Sequence, residues 1–202
     1  MKIFIENDAN AAAYGEYNLG AGRGSRDMFY VTLGTGIGGA LIFDGNIWRG
    51  ASGFAGEFGH ITINSEGMKL EDVASAANIV RRTKSRFHQD HTSSLGKIGE
   101  DEIGLKDVVR EAQIGDSFAQ MMLERTGTYV GMAIASVINL LNVEKIVVGG
   151  AIMQSEHLVL DAIIRRAREL SFAPSFKGTE ILVGELGENA SAVGVALLSS
   201  RL

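Results

Sequence analysis

Cysteine is absent from this 202-residue chain, and proline occurs once, at Pro174. Without cysteine there is no disulfide and no thiolate metal site, and a reducing, cytoplasmic setting fits. One proline beside 26 glycines implies many tight turns inside a packed domain rather than extended linkers. An excess of positive charge is also missing. The formal net charge is −5, and no clustered Lys/Arg face is present, which argues against nucleic acid or an anionic membrane as partner. The only basic knot, Arg81-Arg82-Thr83-Lys84, is expected to be a solvated helix face. No uninterrupted apolar run approaches membrane-spanning length, and Met1 to Asp8 lacks a signal-like segment, so the expectation is a soluble protein. Internal repeats and low-complexity tracts are lacking. The content of 46% hydrophobic and 21% charged residues is ordinary globular composition, sufficient for one substantial core or two small ones.

The apolar run Met1 to Ile5 reads as a strand that gives way at Asn7-Asp8 to a helix over Ala9 to Leu19, with Asn7 or Asp8 as its cap. Asp27 to Leu33 and Gly39 to Phe43 read as strands joined by a glycine-dense turn, with a second turn at Asp44-Gly45-Asn46. Ile47-Trp48 and His60 to Ile63 complete a β-rich first third. Apolar residues at Leu70, Val73, Ala77, Val80 and Phe87 predict one helix from Leu70 to about Phe87, followed by a polar loop from Thr92 to Gly104. Helices are predicted over Leu105 to Gln113, Asp116 to Leu141, Glu156 to Leu170 and Asn189 to Leu202, and strands over Lys145 to Val148 and Glu180 to Val183. Such a succession describes a mixed α/β domain with helices packed on a sheet.

Two segments carry most of the chemistry. In Leu33-Gly34-Thr35-Gly36-Ile37-Gly38-Gly39-Ala40 the glycines let backbone N–H groups approach a bulky anion closely, which suits a phosphate; a plain glycine-rich hairpin is the other reading. It is not a Walker A loop, since no Gly-Lys-Ser/Thr follows, nor a dinucleotide fingerprint, since it joins strand to strand. The run Gly56-Glu57-Phe58-Gly59-His60 sets a carboxylate and an imidazole beside glycine, suited to a hydroxyl-rich ligand or to a simple surface turn. Asp8, at a strand-to-helix junction, is either a helix cap or a general base. Gly149-Gly150 is an ordinary strand exit or a seat for a base and ribose. His88, Asp90 and His91 resemble a ligand cluster, but solvent exposure is the better expectation.

The order of these segments is more specific than any one of them. Asn7-Asp8-Ala9-Asn10-Ala11-Ala12-Ala13 with Gly15-Glu16, the glycine turn, Gly56 to His60, Leu70 to Ser75, and Asn139 to Gly150 together resemble the ROK family of sugar kinases and sugar-responsive repressors, over essentially the whole chain. The resemblance implies the actin-like ATPase (ribonuclease H-like) fold shared with hexokinase, this chain being a C-terminal lobe with a mixed sheet flanked by helices. It implies a glucokinase-like activity, transfer of a phosphoryl group from ATP to a hexose or N-acetylated hexosamine. It also implies Mg²⁺ carried by the ATP and leads to the expectation of a homo-oligomer. By that resemblance Asp8 is the general base, while Asn7, Glu57, His60 and Glu71 bind the sugar. Gly34, Thr35, Gly36 and Gly38 contact phosphate, and Gly149 and Gly150 form the adenosine-side turn.

Two departures from the family pattern stand out. The N-terminal lobe with its Asp-x-Gly-Gly-Thr-Lys phosphate motif has no counterpart, a difference of about 100 residues. The last helix would ordinarily meet that lobe, which leaves its apolar residues Ala192, Val193, Val195, Ala196 and Leu197 exposed or used in assembly. The loop Ile61 to Lys69 is short and has no cysteine, so no structural zinc is expected at His60 and no metal site is assigned. The competing functional readings are a sugar sensor of the repressor type, whose DNA-binding part would lie outside this chain, and an assembly module.

Overall fold

The computed structural model describes residues 3, 5–86 and 92–200 and, for residues 154–156, the backbone alone. A five-stranded sheet organises it: β1 (Met28–Leu33), β2 (Ile37–Phe43), β3 (Asn46–Trp48), β4 (Lys145–Gly149) and β5 (Glu180–Val183), in the order β3-β2-β1-β4-β5. β2 runs antiparallel to β1 and β3, whereas β1, β4 and β5 are parallel. The central strands are apolar on both faces, as strands covered by helices on each side must be. On β1, Phe29, Val31 and Leu33 enter one core with Ile146 and Val148 of β4, and Met28 and Tyr30 enter the other with Val147.

Helix α1 (Asp8–Leu19) and α8 (Ala190–Ser199) cover the second face. The opposite face is covered by α2 (Glu71–Ala74), α3 (Ala76–Lys84), α4 (Leu105–Gln113), α5 (Ser117–Leu141) and α6 (Glu156–Leu170), with the short α7 (Ala173–Lys177) beyond. α1 is buried almost all round from Ala9 to Glu16, and its alanines let it lie close to the sheet. Its crossing with α8 is closer still. A Cβ at Gly194 would lie 1.7 Å from the carbonyl oxygen of Ala11, and one at Gly15 would lie 2.5 Å from that of Ala190.

Several expectations need correction. The helix predicted from Leu70 to Phe87 is two helices, broken at Ser75, whose ψ of 159° is extended. The N–H of Ala76 donates to the carbonyl of Gly34 at 2.8 Å instead of continuing the ladder, so the break docks α3 on the glycine turn. Phe87 lies outside the described residues, as do Met1, Lys2, Phe4, His88, Asp90, His91 and Leu202. Ile3 and Ile5 are exposed and belong to no strand.

His60 to Ile63 is not a strand: Phe58–His60 is a 3₁₀ turn, and only Thr62 bridges Lys69. The return is made within nine residues, with Asn64 Oδ1 accepting from the N–H groups of Glu66 and Met68. The polar segment before α4 contains 3₁₀ turns at Ser94–Lys97 and Glu100–Glu102. Nor is the basic knot simply solvated, since Arg82 donates to Thr126 Oγ1 at 2.7 Å and lies over the Tyr129 ring. Burial first, and then the Arg125 charge, pull its guanidinium down to about 10. On α8, Ala192, Val195 and Ala196 are exposed, whereas Ala190 and Gly194 face α1.

The α1–α8 crossing yields a stability prediction. Gly194→Ala should cost on the order of 3 kcal/mol or more, because backbone rather than a flexible side chain occupies the Cβ position. Gly178→Ala, at a site with ordinary contacts and negative φ, should change stability by less than about 1 kcal/mol. Urea unfolding of the two variants measures both.

Candidate active site

The chemistry-bearing segments meet at the carboxyl ends of β1, β4 and β5, the edge where open α/β sheets bind ligands. The glycine turn leaves β1 at Leu33. Gly149-Gly150 leaves β4 beside it, since a Cβ on Gly150 (φ 97°) would lie 2.4 Å from the carbonyl oxygen of Leu33. The N-terminus of α1 reaches the same edge through Ala9, whose Cβ would be 3.2 Å from a Cβ on Gly38.

Asn7 is the cap of α1. Its Oδ1 accepts from the N–H groups of Ala9 at 2.9 Å and Asn10 at 3.2 Å, which leaves Asp8 in the first turn as an exposed carboxylate. Asp8 Oδ1 accepts from the Ala9 N–H at 2.8 Å. Asn7, Asp8 and Glu57 line one cavity together with Asn10, Gly38, Gly39 and the loop Gly53 to Gly56. Glu57 is held there by its neighbours: Phe58 is buried and packs edge-on against Phe29 at 5.2 Å, and Gly56 (φ 98°) presses on the carbonyl of Gly39. A side chain at Gly56 would place Cβ 2.4 Å from that oxygen, so the contact requires glycine.

The other expected sugar ligands lie elsewhere. His60 is exposed, with its Nδ1 3.1 Å from Lys69 Nζ, and does not line this cavity. Glu71 is at the glycine turn, where its Oε2 accepts the Ile37 N–H at 2.8 Å and would sit 2.8 Å from a Cβ on Gly36. Gly38, expected on the phosphate side, borders the Asp8 cavity instead, because β2 already begins at Ile37 and carries it away from the turn. Gly34, Thr35 and Gly36 form the half-exposed to exposed turn, closed by the Gly34 N–H donating to the Gly36 carbonyl at 3.0 Å. Gly149 and Gly150 line a second cavity with Met153, Val183, Gly184 and Glu188.

Sequence reading passed over the residues that brace these parts. Glu16 is 1% exposed, and its carboxylate accepts the N–H groups of Ala21 (2.9 Å), Glu185 (3.1 Å) and Leu186 (2.8 Å). It thereby ties the loop after β5, one wall of the second cavity, to α1. A charged residue inside an alanine-rich buried helix was the signal for it. Tyr30 is buried against Gly149, its hydroxyl 2.4 Å from where a Cβ on that glycine would be. Burial, aided by the charges of Glu16 and Asp8 and opposed by a hydrogen bond with Thr32, pushes its phenol up to about 12. Among the described residues no group of three or more His, Asp or Glu could hold a metal ion, and no helix is long and apolar enough to cross a membrane.

The chain belongs to the ROK family, whose model matches residues 1–201. It is similar to the glucokinase of Halalkalibacterium halodurans, at 36% identity over 96% of this chain and 62% of that protein. It is also similar to the xylose repressor of Bacillus subtilis, at 29% identity over 97% of this chain and 50% of that one. Thus the chain spans about three fifths of that glucokinase and half of that repressor. Among solved structures, a Streptomyces griseus ROK glucokinase in complex with glucose and AMPPNP superposes with a TM-score of 0.91 at 32% identity, covering 100% of this chain and 69% of that one. A ROK family transcriptional regulator homologous to the Escherichia coli Mlc protein gives 0.90 at 30% identity, covering 99% and 52%. The fold is accordingly the actin-like ATPase fold of the ROK sugar kinases.

Tyr30 supplies the prediction of this site. With a native pKa above its unfolded value of about 10, the phenol is protonated in the fold where it would already ionise in the unfolded chain, so the unfolded state binds fewer protons between pH 10 and about 12. Stability should fall with rising pH across that window. Relative to Tyr30→Phe the wild type should lose stability there, as measured by denaturant melts at a series of alkaline pH values.

Proposed function

We propose that this chain is the larger lobe of an ATP-dependent, glucokinase-like sugar kinase, with the phosphate-motif lobe supplied from outside it. The observation that carries the reading is the placement of Asp8, an exposed carboxylate relieved of capping by Asn7, in one cavity with Asn7 and Glu57. Its similarity to glucokinases supports the choice of reaction.

In this reading a hexose lies against the α1 N-terminus. Glu57 accepts from its hydroxyls, and Asn7 offers an amide beside them. Asp8 takes the proton of the attacking hydroxyl as its oxygen bonds the γ-phosphorus and the bond from that phosphorus to the β,γ-bridging oxygen breaks. ADP leaves with the electron pair. The glycine turn, closed by the Gly34 N–H, offers the backbone N–H groups of Thr35 and Gly36 to phosphate, and the cavity at Gly149-Gly150 takes the adenosine side. Mg²⁺ enters with the nucleotide phosphates, which it neutralises, as is usual for an ion that keeps water and phosphate ligands rather than a protein cage. Glu71 acts through the glycine turn by holding the Ile37 N–H. Similarity to repressors supports a second reading, a sugar-sensing domain that binds without transfer.

Two substitutions separate these readings in the full-length product of the gene, assayed for sugar-dependent ADP release over a hexose panel. Asp8→Asn should lower kcat by at least about a hundredfold while changing sugar affinity little; turnover equal to wild type would remove Asp8 as the base, and a wild type that binds sugar without turnover would favour the sensor. Glu57→Gln should weaken sugar binding by about tenfold, read by calorimetry. Unaltered affinity would sink its assigned role.

A further inference from the structure

Glu16 is a buried charge that the proposed reaction leaves unused. It is 1% exposed and lies about two turns along α1 from Asp8. Its three hydrogen bonds all come from backbone N–H groups: Oε2 accepts those of Ala21 at 2.9 Å and Glu185 at 3.1 Å, and Oε1 accepts that of Leu186 at 2.8 Å. A carboxylate withdrawn from water is costly unless such bonds replace its hydration, and bonds to an ionised acceptor are stronger than those between neutral groups.

Two of the donors belong to one wall of the second cavity. Val183, Gly184, Gly187 and Glu188 line it together with Gly149, Gly150 and Met153, and the held N–H groups of Glu185 and Leu186 fall between them in the chain. The segment after β5 is therefore grasped at its middle. The exposed pair of Arg23 with Glu185, at 3.4 Å, is screened by solvent and holds it only weakly. The fit around the carboxylate is close. A Cβ on Gly184 would lie 2.7 Å from Oε1, and one on Gly20 would collide with Oε2, so glycine at both positions admits the anchor.

We infer that Glu16 is a positioning residue for the nucleotide: by holding the N–H groups of Glu185 and Leu186 it fixes the wall against which the adenosine side lies. The inference rests on the nucleotide-binding reading above. Glu16 touches no substrate, so it acts on where the wall stands and not on the group transferred. Asn7 and Asp8, at the start of α1, are set by the cap bonds and not by this anchor. A loss confined to the nucleotide is therefore the signature of the role.

Calorimetry of ATP and of glucose on the full-length product of the gene tests it, for wild type, Glu16→Gln and Gly184→Ala, with thermal melts to establish that each variant folds. Glutamine keeps the size of the side chain but has one oxygen, so either Leu186 or the pair Ala21 and Glu185 faces an NH₂ that cannot accept. Gly184→Ala keeps the carboxylate and shifts the wall, because the added methyl presses on Oε1. Each variant should weaken ATP binding by about tenfold and leave glucose affinity within about twofold of wild type. A folded variant that binds ATP as tightly as wild type overturns the inference. Equal weakening of ATP and glucose also overturns it, since Glu16 would then be a general brace of α1. A wild type that binds no ATP overturns the nucleotide site itself, and this assignment with it. Gly184→Ala decides if Glu16→Gln does not fold.

Discussion

Asn7 Oδ1 accepts two backbone N–H groups at the start of α1, and the functional edge of the molecule is built outward from that bond. Four N–H groups are orphaned at any helix start, and one side chain must meet some of them. Had Asp8 been the cap, its carboxylate would have been consumed by the helix. With Asn7 in that place, the carboxylate of the next residue, one oxygen of which accepts the Ala9 N–H, stays exposed near the positive end of the helix dipole. Asn10, whose N–H Asn7 holds, turns its own amide back to Glu6, so cap, carboxylate and buried amide are set by a single turn of backbone.

That turn can lie at the sheet edge only because α1 is thin. Alanine at positions 9, 12 and 13 lets the helix lie close to β1 and β2, and α8 closes over its other side, where Ala11 and Gly15 meet Gly194 and Ala190. Glu16, near the far end of the helix, then fastens the loop that walls the second cavity. Both cavities are thus referred to one helix, which supplies residues to the first and fastens a wall of the second. Sites carried on rigid elements hold their geometry better than sites carried on loops.

Much of this was legible in the residues. The short apolar runs of β1, β4 and β5, the helical spacing of α5, and the order of the motifs from Asn7 to Gly150 identified the sheet, its helices and the family. What failed to read was decided by tertiary hydrogen bonds. The break at Ser75 follows from the Gly34 carbonyl claiming the Ala76 N–H, which no local pattern in 70–87 announces. The short return after His60 depends on Asn64, and the inward turn of Arg82 depends on Thr126 and Tyr129, 44 and 47 positions along the chain.

The near-equal superposition on a kinase and on a regulator, 0.91 and 0.90, carries its own lesson. Backbone agreement of that order cannot divide the two functions. The division lies in what each function asks of single atoms. A sensor requires that hydrogen bonds be satisfied when the sugar arrives, and Asn7, whose oxygen caps α1, can meet a hydroxyl with its Nδ2. Phosphoryl transfer asks in addition for a group that can take a proton from the attacking hydroxyl, and among the side chains of the α1 N-terminus that border the cavity Asp8 alone has that capacity. In the proposed reading Asn7 and Asp8 stand in one helical turn, and transfer differs from recognition in requiring phosphate within reach of Asp8.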